Sequence, residues 1–189
     1  MNQKKIEFMY QAINDTQGTI RAIDVKLGFL FVVIFMPLTA VVEISKSISV
    51  LWESNYHYGI IVILVALAWL LSVFFLFLGL SPILAVNNHI STIQSPVTEA
   101  FFSGGIPFIK RRDSISVKHI RASKTLKEYV ESIPDSEDAI INELAYEKMK
   151  ISFIRNVKSI RTTMCTYATL VWLLFGTFLS VVYLLHWGC

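Results

Sequence analysis

Three long apolar stretches, parted by polar segments, set the pattern of this chain. The first runs from Leu27 to Val42, sixteen residues without a charge. A helix needs about 20 residues to cross a bilayer. Lys26 and Glu43 extend the stretch, because their stems can lie along it while their charges reach the headgroups. Pro37 predicts a bend within it, which membrane helices tolerate. The second stretch, Gly59 to Val86, holds 28 residues with no charge. Its helix is expected to stop near Ser81-Pro82, since proline has no N–H to continue the ladder. The third, Met164 to Trp187, is again uncharged. The pattern predicts an all-α integral membrane protein with spans at 27–45, 59–84 and 164–187, joined by an outer loop at 46–58.

The remaining segments read as helices outside the spans. In residues 4–24, Ile6, Met9, Tyr10, Ile13, Ile20 and Ile23 share one face at helical spacing, so 1–26 is an N-terminal helix leading into the first span. Gly18 weakens it slightly. Residues 87–113 are punctuated by Pro96, Gly104-Gly105 and Pro107 and read as irregular. A helix is expected over 115–132. Pro134 breaks the chain, and Asp135 is read as the cap of a final helix with Glu137 and Asp138 in its first turn. No Pro or Gly follows from Ser136 to Phe175. That helix should therefore run unbroken from the 85–163 segment into the third span. Along it Tyr146, Met149, Phe153, Val157, Ile160 and Met164 recur every three or four residues. Ile140, Leu144, Ile151 and Ile154 lie beside them. So wide an apolar face calls for cover by other helices or by another subunit.

Charge changes the picture by giving direction. Of the 17 Lys and Arg, four lie in residues 1–26, one in the loop (Lys46), twelve between the second and third spans, and none after the third. Positive charge stays on the cytoplasmic side. The N-terminus and the 85–163 segment are therefore expected in the cytoplasm and the C-terminus outside. A cleaved secretory signal is not expected. Lys110-Arg111-Arg112 reads as a headgroup-facing cluster rather than a nucleic-acid site. Lys148, Arg155, Lys158 and Arg161 are available for an anionic ligand or for lipid phosphate.

Candidate chemistry is sparse. Cys165 and Cys189 fall near opposite membrane faces, and the four histidines show no metal-ligand spacing. No nucleophile elbow, phosphate-binding loop, zinc-protease motif or dinucleotide fingerprint occurs. The chain reads as a non-enzyme without cofactor or metal. The spans hold no Asp, Glu, Lys or Arg, which argues against an ion-coupled transporter. Gly176 and Ser180 form a small-xxx-small pair suited to close helix approach. Thr39, Ser72, Thr169 and Thr177 add hydroxyls.

The order of features resembles a known family. Ala22-Ile23-Asp24-Val25-Lys26-Leu27-Gly28 leads into the first span, with Asp24, Lys26 and Gly28 as its marked positions. The second span ends at Ser81-Pro82. Ala100-Phe101-Phe102-Ser103-Gly104-Gly105-Ile106 follows, then Lys127-Glu128-Tyr129 and the long last helix. Over nearly its whole length the chain is similar to the small transmembrane effector domain of Pycsar-type anti-phage systems. That resemblance implies a bacterial inner-membrane protein in abortive infection. It would oligomerise and impair the membrane in response to a cyclic nucleotide. Some relatives carry a separate nucleotide-binding domain, for which 189 residues leave no room. The expected trigger is then a nucleotide bound by the cytoplasmic helices, a separate sensor protein, or another signal. The alternative is a non-conducting scaffold or accessory subunit that recruits a cytoplasmic partner.

Overall fold

A computed structural model describes residues 2–54, 56–83, 86, 90 and 125–187. The described residues form helices and turns, with no strand among them. Helix α1 covers Asn2–Phe35 and passes through a 3-10 turn, Met36–Ala40, into α2, Val41–Ser54. Helix α3 is Tyr56–Leu80, α4 is Leu126–Glu131 and α5 is Glu137–Trp187. The irregular reading of 87–113, the run Lys110, Arg111 and Arg112, and the start of the helix expected at 115 lie outside the described residues.

Three stretches are long and apolar enough to cross a membrane: Gln3–Ser54, Tyr56–Leu80 and Glu137–Leu185. Only 11%, 11% and 17% of their most apolar windows are buried. Their large side chains, among them Phe29, Leu67, Phe74 and Leu174, face outward. Such surfaces would aggregate in water and are ordinary in hydrocarbon.

Several boundaries follow from local chemistry. Alpha-helix gives way to 3-10 at Pro37, as the missing N–H requires. Helix α3 stops at Leu80, one residue before Ser81-Pro82, and Ser81 closes it with N–H and Oγ bonds to Phe77 O at 2.9 and 2.7 Å. The expected loop at 46–58 is instead helical through Ser54 and resumes at Tyr56. Val41–Ser54 contains neither Gly nor Pro. Its serines Ser45, Ser47, Ser49 and Ser54 bond carbonyls three or four residues back, so they do not divert the chain into a turn.

Two caps differ from expectation. Helix α4 begins only at Leu126, because Thr125 is extended (φ −74°, ψ 162°). Thr125 and Glu128 form a reciprocal capping box there, so no continuous helix runs through 115–132. The cap of α5 is Ser136, whose Oγ accepts from Ala139 N–H at 3.2 Å, and not Asp135. Glu137 and Asp138 do occupy the first turn.

Contacts divide the chain into two units, Met1–Gly18 with Leu84–Ile154, and Thr19–Ile83 with Arg155–Cys189. In the second, α3 runs antiparallel to both α1 and α5. Leu27 meets Gly79 and Ile34 meets Trp69, while Arg161, Cys165 and Gly176 meet Leu78, Ser72 and Val65 in turn. Leu27, Ile34, Leu76 and Cys165 form one core. Leu51, Val62 and Leu179 form another, beside Tyr58 and Tyr183. In the first unit, a face of α5 buries Leu144, Tyr146 and Ile151 together with Glu143, Glu147 and Lys150.

Candidate functional site

The cations that the sequence marks along α5 are engaged within the chain. Lys148 Nζ donates to Ala12 O at 2.7 Å and to Thr16 Oγ1, tying α5 to the first half of α1. Lys158 Nζ meets Asp24 Oδ1 at 2.5 Å. The lysine is well covered and the aspartate less so. Arg161 Nη1 donates to Leu78 O at 2.8 Å. Leu78 lies in the last turn of α3, where carbonyls lack intrahelical donors and the helix dipole is negative, so an arginine is well placed. Arg155 bonds its neighbour Asn156 through Nε and Nη2. Charge-assisted bonds of this kind are worth about 1.5–3 kcal/mol where water is excluded, less where it is not. Lys148, Lys158 and Arg161 thus serve first as helix ties, while Arg155 is engaged within its own helix.

At the approach to span one, Asp24 holds Lys158, Lys26 is exposed, and a Cβ on Gly28 would meet open space. In span three, Ser180 Oγ bonds Gly176 O at 2.9 Å, and a Cβ on Gly176 would find Val65 Cγ1 at 3.9 Å. The closest approach is elsewhere. A Cβ on Gly79 would sit 3.0 and 3.1 Å from the Leu27 methyls. Of the predicted apolar stripe, Tyr146 is buried, Phe153 and Val157 are partly covered, and Met149, Ile160 and Met164 are exposed in the single chain.

Polar groups in the spans are turned onto their own backbone. Ser72, Thr169 and Thr177 bond carbonyls four residues back at 2.8–2.9 Å, and Thr39 bonds Met36 O at 2.8 Å. Cys165 Sγ reaches Ser72 O at 3.6 Å across helices. Trp69 Nε1 donates to Ile34 O at 2.8 Å. This bond completes the proline break. Pro37 gives no N–H to the turn before it, and the 3-10 turn shortens the ladder, so carbonyls near Ile34 need another donor. The indole of α3 supplies one. Among the buried side-chain atoms of the described residues, Thr162 Oγ1 and Trp172 Nε1 have no partner.

Sequence reading missed the buried charges. Glu143, Glu147 and Lys150 follow helical spacing on the covered face of α5, interleaved with the apolar stripe that drew attention. Lys150 Nζ sits 4.2 Å from the Tyr146 ring centre. Burial lifts the Glu147 carboxyl above its ordinary range; Lys150 opposes that shift and Glu143 adds to it. The i, i+4 spacing of the two glutamates beside Leu144 and Ile151 was the available signal.

Among the described residues no His, Cys, Asp and Glu group could hold a metal ion. No protein-family model, curated protein or solved structure matches this chain.

Proposed function

We propose that the chain is an anti-phage abortive-infection effector of the bacterial inner membrane. It oligomerises there and impairs the membrane in response to a nucleotide or protein signal, and it performs no catalysis. Its N-terminus and the 85–163 segment lie in the cytoplasm and its C-terminus outside, as the distribution of Lys and Arg supports. The carrying observation is that the hydroxyls of Ser72, Thr169, Thr177 and Ser180 bond carbonyls of their own helices, while most of the exposed side chains of the spans are apolar. Three spans are too few to enclose a wide pore within one copy. Damage therefore requires several copies and a shift away from this packing. The setting in phage defence rests on the resemblance of the Asp24–Gly28, Ser81-Pro82 and Phe101–Ile106 motifs and their order.

The test is induction in bacteria with a voltage-sensitive dye and a large impermeant dye read together. Depolarisation before growth arrest is expected, with cyclic nucleotide or phage infection supplied as the trigger. Large-dye entry would mark rupture rather than a narrow pore. An inserted protein that leaves the potential unchanged under all these triggers would overturn the reading in favour of a scaffold. The exposed apolar residues of α4, outside the spans, favour that second reading if they capture a cytoplasmic partner.

A further inference from the structure

Two uncovered surfaces of the first unit complement each other. On one, Leu126 and Val130 of α4, spaced i and i+4, form an apolar stripe with Ile133 in the bend just after the helix, exposed by 80%, 56% and 45%. A helix of six residues has little stability of its own. This one is held at both ends, by the Thr125–Glu128 capping box and by Ser132, whose N–H and Oγ bond the last turn. The stripe is thus presented in a defined shape. Its flank carries the exposed carboxylates Glu131, Asp135 and Glu137, with a single lysine, Lys127, 3.9 Å from Glu131.

The second surface is a shallow groove between α1 and α5. Its floor is Phe8, Met9 and Ile141, and Lys4 and Lys5 form its rim. Phe8 is 68% exposed. Neither lysine has an ion pair among the described residues. An apolar floor with a basic rim fits an apolar stripe with an acidic flank.

We infer that α4 of one copy seats in the Lys4–Lys5–Phe8 groove of the next. Both surfaces belong to one unit, Met1–Gly18 with Leu84–Ile154. Copies inserted in one bilayer share their orientation, so this unit meets its like at the same height. Confinement to the membrane raises the effective concentration, and a small interface suffices. The contact is heterologous, because the donated and receiving surfaces differ. Repetition therefore generates a ring when the rotation closes. The inference rests on the oligomerisation in the proposed function and not on membrane damage.

Cysteine cross-linking in inner-membrane vesicles tests it on the full chain. Cys189 is replaced by Ser, and the buried Cys165 is kept. Phe8→Cys and Val130→Cys are made on two differently tagged copies and expressed together. A mixed-tag disulfide dimer is expected, with neither variant alone forming one. With both substitutions in one chain, a ladder should end at the ring size. Lys4→Glu with Lys5→Glu should lower the mixed yield about tenfold, and Glu131→Lys with Asp135→Lys should recover it. Absence of the mixed dimer with both copies inserted would overturn the inference. So would a disulfide formed only within one chain, or cross-linking only to a different protein. A ladder without depolarisation would keep the interface and remove the membrane-damage reading; depolarisation without a ladder would do the reverse.

Discussion

Trp69 carries a burden that its neighbours in α3 do not. Its indole answers a carbonyl left short by Pro37, so the two residues form one unit of cause and compensation. Trp69→Phe should cost about 1 kcal/mol in a denaturant titration in micelles, the scale of interhelical hydrogen bonds in membranes. In a Pro37→Ala background, where the helix regains its N–H, the same change should cost much less. Equal losses in both backgrounds would refute the pairing. The glycines make a similar contrast. Gly79→Ala pushes a methyl to 3.0 Å from Leu27, itself fully buried, and should destabilise by about 1–2 kcal/mol. Gly176→Ala has room beside Val65 and removes a helix-weakening glycine, so its unfolding midpoint should hold or rise. Opposite signs for the two substitutions are the outcome to look for.

Helix α5 joins two demands that usually conflict. It must stay helical for 51 residues while burying charged side chains interleaved with apolar ones. The capped start and the absence of Pro or Gly before Gly176 meet the first demand. The second leaves a trace in pH. Burial raises the Glu147 carboxyl from its ordinary 4.5, so the folded protein holds this proton more tightly than the unfolded chain does. Stability from the protonated group is full below the ordinary value and is lost as pH rises through the raised one. Glu147→Gln, which stays neutral, should therefore melt above wild type at neutral pH, with the gap closing toward acid. A gap that stays constant from acid to neutral pH would show that Glu147 does not titrate in this window.

For the molecule as a whole, orientation is the property on which the functional proposal depends. An impermeant maleimide applied to intact spheroplasts should label native Cys189 and spare Cys165, which is buried among the helices. In a Cys189→Ser background, a Glu137→Cys variant should label only after permeabilisation. Labelling of position 137 from outside would invert the topology. It would also place the acidic α4 flank and the Lys4–Lys5 groove outside the cell, away from any cytoplasmic signal.

What the sequence determined by itself is what depends on local sums. Uncharged length marked the three apolar helices. Pro37 and Ser81-Pro82 marked a break and an end, because proline's missing N–H acts wherever it stands. The Thr125–Glu128 box was equally legible, and its spacing alone would have started α4 at Leu126. The roles of the cations were not legible. Lys148 answers Thr16 across 132 residues, and Arg161 answers Leu78 across 83. Whether such pairs meet depends on the rotation of each helix about its axis and on its register against the next. Hydropathy carries neither quantity. The same rotation made Gly79, not Gly176, the closest approach, and turned Glu143, Glu147 and Lys150 inward on a helix whose pattern advertised only its apolar stripe. Composition decided that these helices can cross a membrane; only their packing against one another decided which polar groups became ties and which surfaces were left open.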